Sequence, residues 1–203
     1  MASFDKFEIT KHEAYRFVGK SIYIGNKGSF GCFDLLQSSY LASGCAETLH
    51  GRTLHEYLWS RSEGIFAMLD DLKGYATDEP HNTALYTWEK YDEKNDLYGY
   101  HIGRFMKAGT PVTHDMDYID IPAGHVAKGF VKLENVEKCQ GKRLAKFEDM
   151  MDVELERQDE FMWHYMMAEV YPAPDANGDT YVGLYVLLLP KKPKKKLFGR
   201  KCA

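Results

Sequence analysis

The chain has 203 residues, 44% of them hydrophobic and 28% charged. That balance excludes a disordered or fibrous chain, and the length suits one large domain that needs no disulfide or metal staple. The net charge of −4 is uneven, because Lys191 to Ala203 holds seven basic residues and no acidic one, which leaves −11 for the body up to Pro190.

Such a body repels phosphate, so no direct nucleic-acid binding by the folded part is expected; the basic tail is read as a solvated, unstructured terminus. No apolar run approaches the ~18 residues of a membrane span. Met1 to Thr10 shows no apolar signal core, so a cytoplasmic protein off the membrane is the expectation. Cys32, Cys45, Cys139 and Cys202 lack CxxC spacing and read as reduced thiols.

In chain order, Tyr15 to Ile24 is rich in aromatic and β-branched residues and predicts a strand ending at Gly25. The loop GNKGSFG follows, then a short helix over Cys32 to Ala42. Leu54, Leu58, Ile65, Leu69 and Leu72 predict a helix over Thr53 to Gly74, with Thr53 and Glu56 as a capping box and Gly74 as its stop. Thr83 to Tyr91 and Leu97 to Met106 read as a hairpin around DEKND. Tyr118 to Leu133 is a strand region interrupted by Pro122 and Gly124. Gln140 to Leu155 is a helix with Leu144, Phe147, Met151 and Leu155 on one stripe. Phe161 to Tyr171 and Thr180 to Leu189 are strands joined by a turn at Asn177-Gly178.

Strand, helix, strand, strand therefore occurs twice. The predicted fold is α+β: duplicated βαββ halves, about 14–106 and 117–190, within one domain spanning 1–190. They share one mainly antiparallel sheet with helices on one face. Either the bare face or the groove where the halves meet would take a ligand.

Alternation along the strands groups large rings in one phase. Trp163, Tyr165, Met167, Glu169 and Tyr171 form one set, Tyr86 and Trp88 another, and Tyr98 and Tyr100 join Ile102. Rings with polar tips suit an apolar or cationic guest, although aromatic strand positions also serve as core and cross-strand pairs. Glu169 tilts the reading towards a site, since a carboxylate among Met167, Ala168, Val170 and Tyr171 is costly to bury without a purpose.

Asp117 to Glu134 (DYIDIPAGHVAKGFVKLE) and Glu169 to Pro190 (EVYPAPDANGDTYVGLYVLLLP) resemble the GyrI-like, SOUL-superfamily effector-binding domains. The matching pieces are the IPAG turn entering a strand, the Glu-X-Tyr-X-Pro strand end and the final strand closing on a proline. The first half fits by element order. The resemblance implies an aromatic groove around a buried acid, with Glu169 at the acidic position; strand phase rather than motif makes Tyr86, Trp88, Tyr98, Tyr100, Trp163, Tyr165 and Tyr171 the ligand-binding candidates. It implies a standalone binder of small apolar or cationic molecules, for sequestration or effector sensing, with a second copy or a separate regulatory chain as a compatible partner. The alternative it implies is a hydrolase opening cyclopropane-type electrophiles, with Glu169 as catalytic base and Tyr171, or another groove tyrosine, as polariser.

No cofactor or metal is expected. GNKGSFG lacks the Lys-Ser/Thr ending of a P-loop, His50 and His55 miss the HExxH spacing, there is no GxSxG, and no motif supports haem.

Overall fold

The computed structural model describes residues 3–25, 58–79, 81–87, 97–136, 143–158 and 160–191. Among these, eight strands form a single sheet: β1 (Lys6–His12), β2 (Tyr15–Gly25), β3 (Asn82–Thr87), β4 (Leu97–Lys107), β5 (Asp117–Ile121), β6 (Gly124–Lys132), β7 (Phe161–Tyr171) and β8 (Tyr181–Pro190). The helices are α1 (Ser62–Asp70), the short α2 (Leu133–Val136) and α3 (Arg143–Gln158). The sheet order is β1-β6-β8-β7-β3-β4-β2-β5 and every pairing is antiparallel.

The order shows the duplication directly. One half contributes β2-β4-β3 and the other β6-β8-β7, and the two meet along β3 and β7. Each half is preceded by one more strand than the sequence pattern suggested, and that strand pairs with the opposite half. β1 lies on β6, while β5 lies on β2. The interrupted strand region expected over Tyr118 to Leu133 is two strands, β5 and β6, divided at Pro122 and Ala123. Pro122 cannot donate a ladder hydrogen bond, and the pairing changes at that break, from β2 before it to β1 and β8 after it. β1 was not anticipated at all, because KFEITKH is largely polar and holds only an edge.

The long helix expected over Thr53 to Gly74 is also corrected. Leu58 and Trp59 are helical, a turn at Ser60 and Arg61 intervenes, and α1 then runs to Asp70. Gly74 sits in a separate 3₁₀ turn, Lys73–Tyr75, rather than at the helix stop. The capping pair, the helix over Cys32 to Ala42, the GNKGSFG loop beyond Gly25 and the hairpin tip lie outside the described residues, as does the tail after Lys191.

Both helices cover the same face. α1 buries Ile65 and Leu69, one turn apart, against Val18, Ile22, Ile102 and Met106. α3 buries Phe147, Met151 and Leu155 at the i, i+4, i+8 spacing against Val182, Leu184 and Val186. Phe147 is fully buried, worth about 2–3 kcal/mol of transfer free energy. A third cluster, including Phe17, Leu85, Phe105, Val126, Met166 and Tyr185, lies on the opposite face. Gly19 pairs with Gly103 between β2 and β4, and a Cβ on either would fall on the neighbouring carbonyl, Ile102 or Val18. At the other end of the chain Asp175 builds the predicted turn. Its carboxylate accepts from the N–H groups of Asn177 and Asp179, and Gly178 takes φ +84°.

Candidate ligand groove at the seam of the two halves

Register decides where the candidate residues point. Glu169 lies opposite Ala84 of β3 and Leu184 of β8, both of them buried on the helix-covered face. β7 carries an irregularity between Trp163 and Met167, where four steps along β7 answer two along β8. The two extra residues preserve the phase, so Trp163 shares the face of Met167, Glu169 and Tyr171. Its indole N–H donates to Asp152 Oδ1 of α3 at 2.7 Å. Of the two places the sequence left open, these residues occupy the seam between the helices rather than the bare face.

At that seam Glu169 is 4% exposed, and Tyr171 donates its hydroxyl proton to Glu169 Oε2 at 3.1 Å. Tyr171 meets Trp59 edge-on, with ring centroids 5.3 Å apart. The Trp59 indole N–H donates to the Tyr100 hydroxyl at 2.6 Å, and Tyr100 packs against Tyr86 at 5.0 Å. Four rings thus run continuously from β7 to β4. They join the two helix-covered clusters, since Tyr86 packs against both.

The α3 side of the seam is acidic. Burial pushes the Glu148 carboxyl above its ordinary range, and the charges of Asp152, Asp149 and Glu169 push it further. The proximity of like charges raises the pKa because the ionised form is disfavoured. A cation placed there would relieve both effects. One buried cation shares the face: Lys20, 5% exposed, occupies the same cross-strand row as Glu169, with Ile102 and Ala84 between. Three strand spacings put their backbones roughly 14 Å apart.

Of the sequence candidates, Tyr86, Tyr100, Trp163, Glu169 and Tyr171 are on this face. Tyr98 and Tyr165 lie in β4 and β7, with backbone described and side chains outside the described residues, and Trp88 is outside altogether. Trp59, Glu148 and Asp152 were missed. They stand on helical residues whose approach to the strands depends on tertiary packing; the only local signal was Trp59 beside Leu58 in the apolar stripe. Among the described residues, no three His, Cys, Asp or Glu side chains gather as a metal site, and no helix is long and apolar enough to cross a membrane.

An antiparallel sheet built from two βαββ halves, with helices on one face, makes this an α+β fold. The protein described as SAV2435 bound to tetraphenylphosphonium superposes with a TM-score of 0.52 at 12% identity, over 91% of this chain and 94% of that one. The C-terminal domain of EcmrR gives 0.46 at 10% identity, over 91% and 97%. An integron cassette protein from the mobile metagenome of Vibrio cholerae gives 0.43 at 12%, over 92% and 98%. No family model matches the chain, and no curated protein does. The likeness is therefore one of fold.

Proposed function

We propose that this protein binds small lipophilic organic cations at the seam of its two halves, as a drug-sequestering or effector-sensing module. The carrying observation is Glu169, a carboxylate 4% exposed in the middle of a sheet and bonded to a tyrosine that belongs to a continuous aromatic wall. A guest cation flanked by Trp59, Tyr86, Tyr100 and Tyr171 would gain ring-quadrupole attraction as well as charge pairing with Glu169. Trp88, Tyr98 and Tyr165 remain candidates for the same wall by strand phase. The acidic side chains of α3 favour the same sign of ligand. A ligand of this kind, tetraphenylphosphonium, is bound by the similar fold of SAV2435.

Titration with tetraphenylphosphonium, followed by the fluorescence of Trp59 and Trp163 and by calorimetry, should give saturable binding at one site per chain. Tighter binding of nucleotides or other anionic metabolites would overturn the reading. The hydrogen bond between Tyr171 and Glu169 also favours a second reading, hydrolysis of a strained electrophile, with Glu169 directing water and Tyr171 polarising the leaving atom. In that case ring-opened product accumulates, and Glu169→Gln slows its release by about 10²- to 10⁴-fold.

A further inference from the structure

The face of the sheet opposite Glu169 holds a cavity of about 470 Å³, its open mouth included. Leu85, Phe105, Val126, Met166, Ala168 and Leu187 give it an apolar lining contributed by both halves. Thr77 and Glu79, from the segment joining α1 to β3, bound one side. Small-molecule sites are mostly apolar with a few convergent polar groups, and this lining has that character.

The charged groups at this cavity are already committed to each other. Glu79 accepts from Lys128 and, at 2.5 Å, from the Tyr185 hydroxyl. Lys128 also lies 3.8 Å from Glu8, and His81 lies 3.9 Å from Glu79.

Two other polar tips are not committed. His12 stacks on Tyr15, with ring centroids 5.0 Å apart and planes 20° from parallel. His12 Nδ1 donates to the Glu13 carbonyl at 2.7 Å, which fixes that tautomer and leaves Nε2 an acceptor. Neither Nε2 nor the Tyr15 hydroxyl has a hydrogen-bond partner among the described residues. Burial lowers the His12 pKa and raises that of Tyr15, whose hydroxyl is held protonated also by Glu79, Asp78 and Glu13. At neutral pH these two stacked rings therefore offer the cavity one acceptor and one O–H donor, both uncharged.

We propose that this cavity is a second binding site, separate from the seam, for an uncharged apolar molecule ending in a single hydroxyl. An alcohol or phenol donates its proton to His12 Nε2 and accepts the Tyr15 O–H, using both tips with one atom. A carboxylate in the same position lacks a proton for Nε2 and meets the field of Glu79, Asp78 and Glu13. An ammonium finds Glu79 occupied and Lys128 beside it.

The test uses 1-naphthol, naphthalene and 1-naphthoate, titrated calorimetrically and mapped by methyl NMR at Met166. 1-Naphthol should saturate, shift the Met166 methyl and bind most tightly of the three. Tyr15→Phe and His12→Phe keep the stacked rings, and each should weaken 1-naphthol about three- to tenfold by loss of one hydrogen bond. Naphthalene binding should be unaltered by either. Glu169→Gln should leave 1-naphthol binding unchanged, whatever it does to a cation. The proposal is overturned if 1-naphthoate binds more tightly, if both variants bind 1-naphthol as the parent does, or if Glu169→Gln abolishes its binding. If either variant fails to fold, Met166 decides on the unaltered protein: no shift there at saturation refutes the site.

Discussion

Replacing Glu169 by Gln removes one negative charge at the seam while keeping the shape and an acceptor for the Tyr171 hydroxyl. The bond from the Tyr171 hydroxyl then changes from charge-assisted to neutral, a difference of about 1 kcal/mol. For a chain of this length that is a change in Tm of about 2–4 °C. The effect on a cation is larger. A charge centre about 5 Å from the carboxylate gains about 3 kcal/mol at an effective dielectric constant near 20. Desolvation of both ions offsets part of this, leaving an expected loss of ten- to a hundredfold in affinity for tetraphenylphosphonium. The aromatic wall is untouched, so an uncharged triphenyl compound should bind the variant as it binds the parent. Calorimetric titration with both ligands, alongside thermal melting, separates the two contributions. Unchanged affinity for the cation, or a large fall in Tm with no change in affinity, would refute Glu169 as the ligand's counter-charge and make it a structural carboxylate.

Gly103→Ala should destabilise the domain by at least 3 kcal/mol, because its Cβ lands on the Val18 carbonyl between paired strands; a melting curve close to the parent's would contradict the pairing of Gly19 with Gly103. Stability should fall as the medium is acidified. His12 and His81 have pKa values lowered by burial, so stability present above about pH 6.5 is lost as the pH drops through their folded-state values. Burial pushes Glu79 up, but Lys128, Tyr185 and His81 outweigh it and the net shift is downward, which adds a second loss below about pH 4.5. Denaturant titrations from pH 8 to pH 3 should show both steps, and the second should be smaller in Glu79→Gln, with Asp120 and Asp175, whose carboxyls are also held low, supplying the remainder. Truncation after Lys191, which keeps the bond from its N–H to the Glu160 carbonyl, should leave Tm unchanged and remove any salt-sensitive affinity for DNA; sequence-specific binding by the truncated chain would show that the acidic body contacts nucleic acid after all.

Much of the architecture was legible because it rests on local chemistry. The period of two in Phe161–Tyr171 and Tyr181–Pro190 predicted strands that the structure reproduces nearly residue for residue. The stripe Phe147, Met151 and Leu155 marked the buried face of α3. Phase alone put Glu169 with Tyr171 and Trp163, and it survived the irregularity in β7 only because two residues are inserted there rather than one. The helix around α1 was misjudged in length, since an apolar stripe continues in register across the turn at Ser60 and Arg61.

What the amino-acid sequence determined by itself was most of the succession of elements, the two-residue phase that groups side chains along a strand and the presence of one acidic residue in a largely apolar strand. Periodicity and side-chain chemistry act within a few residues of each other, so they can be read along the chain. Tertiary structure alone decided that β1 and β5 cross to the opposite halves, that both helices cover the face bearing Glu169, and that Trp59 and Glu148 come to it from separate helical segments. It likewise brought His12, Tyr15, Glu79, Lys128 and Tyr185 around one cavity. Those neighbours are set by which strands pair and in what register, a choice governed by burial of the whole sheet surface, and no short stretch of sequence carries it.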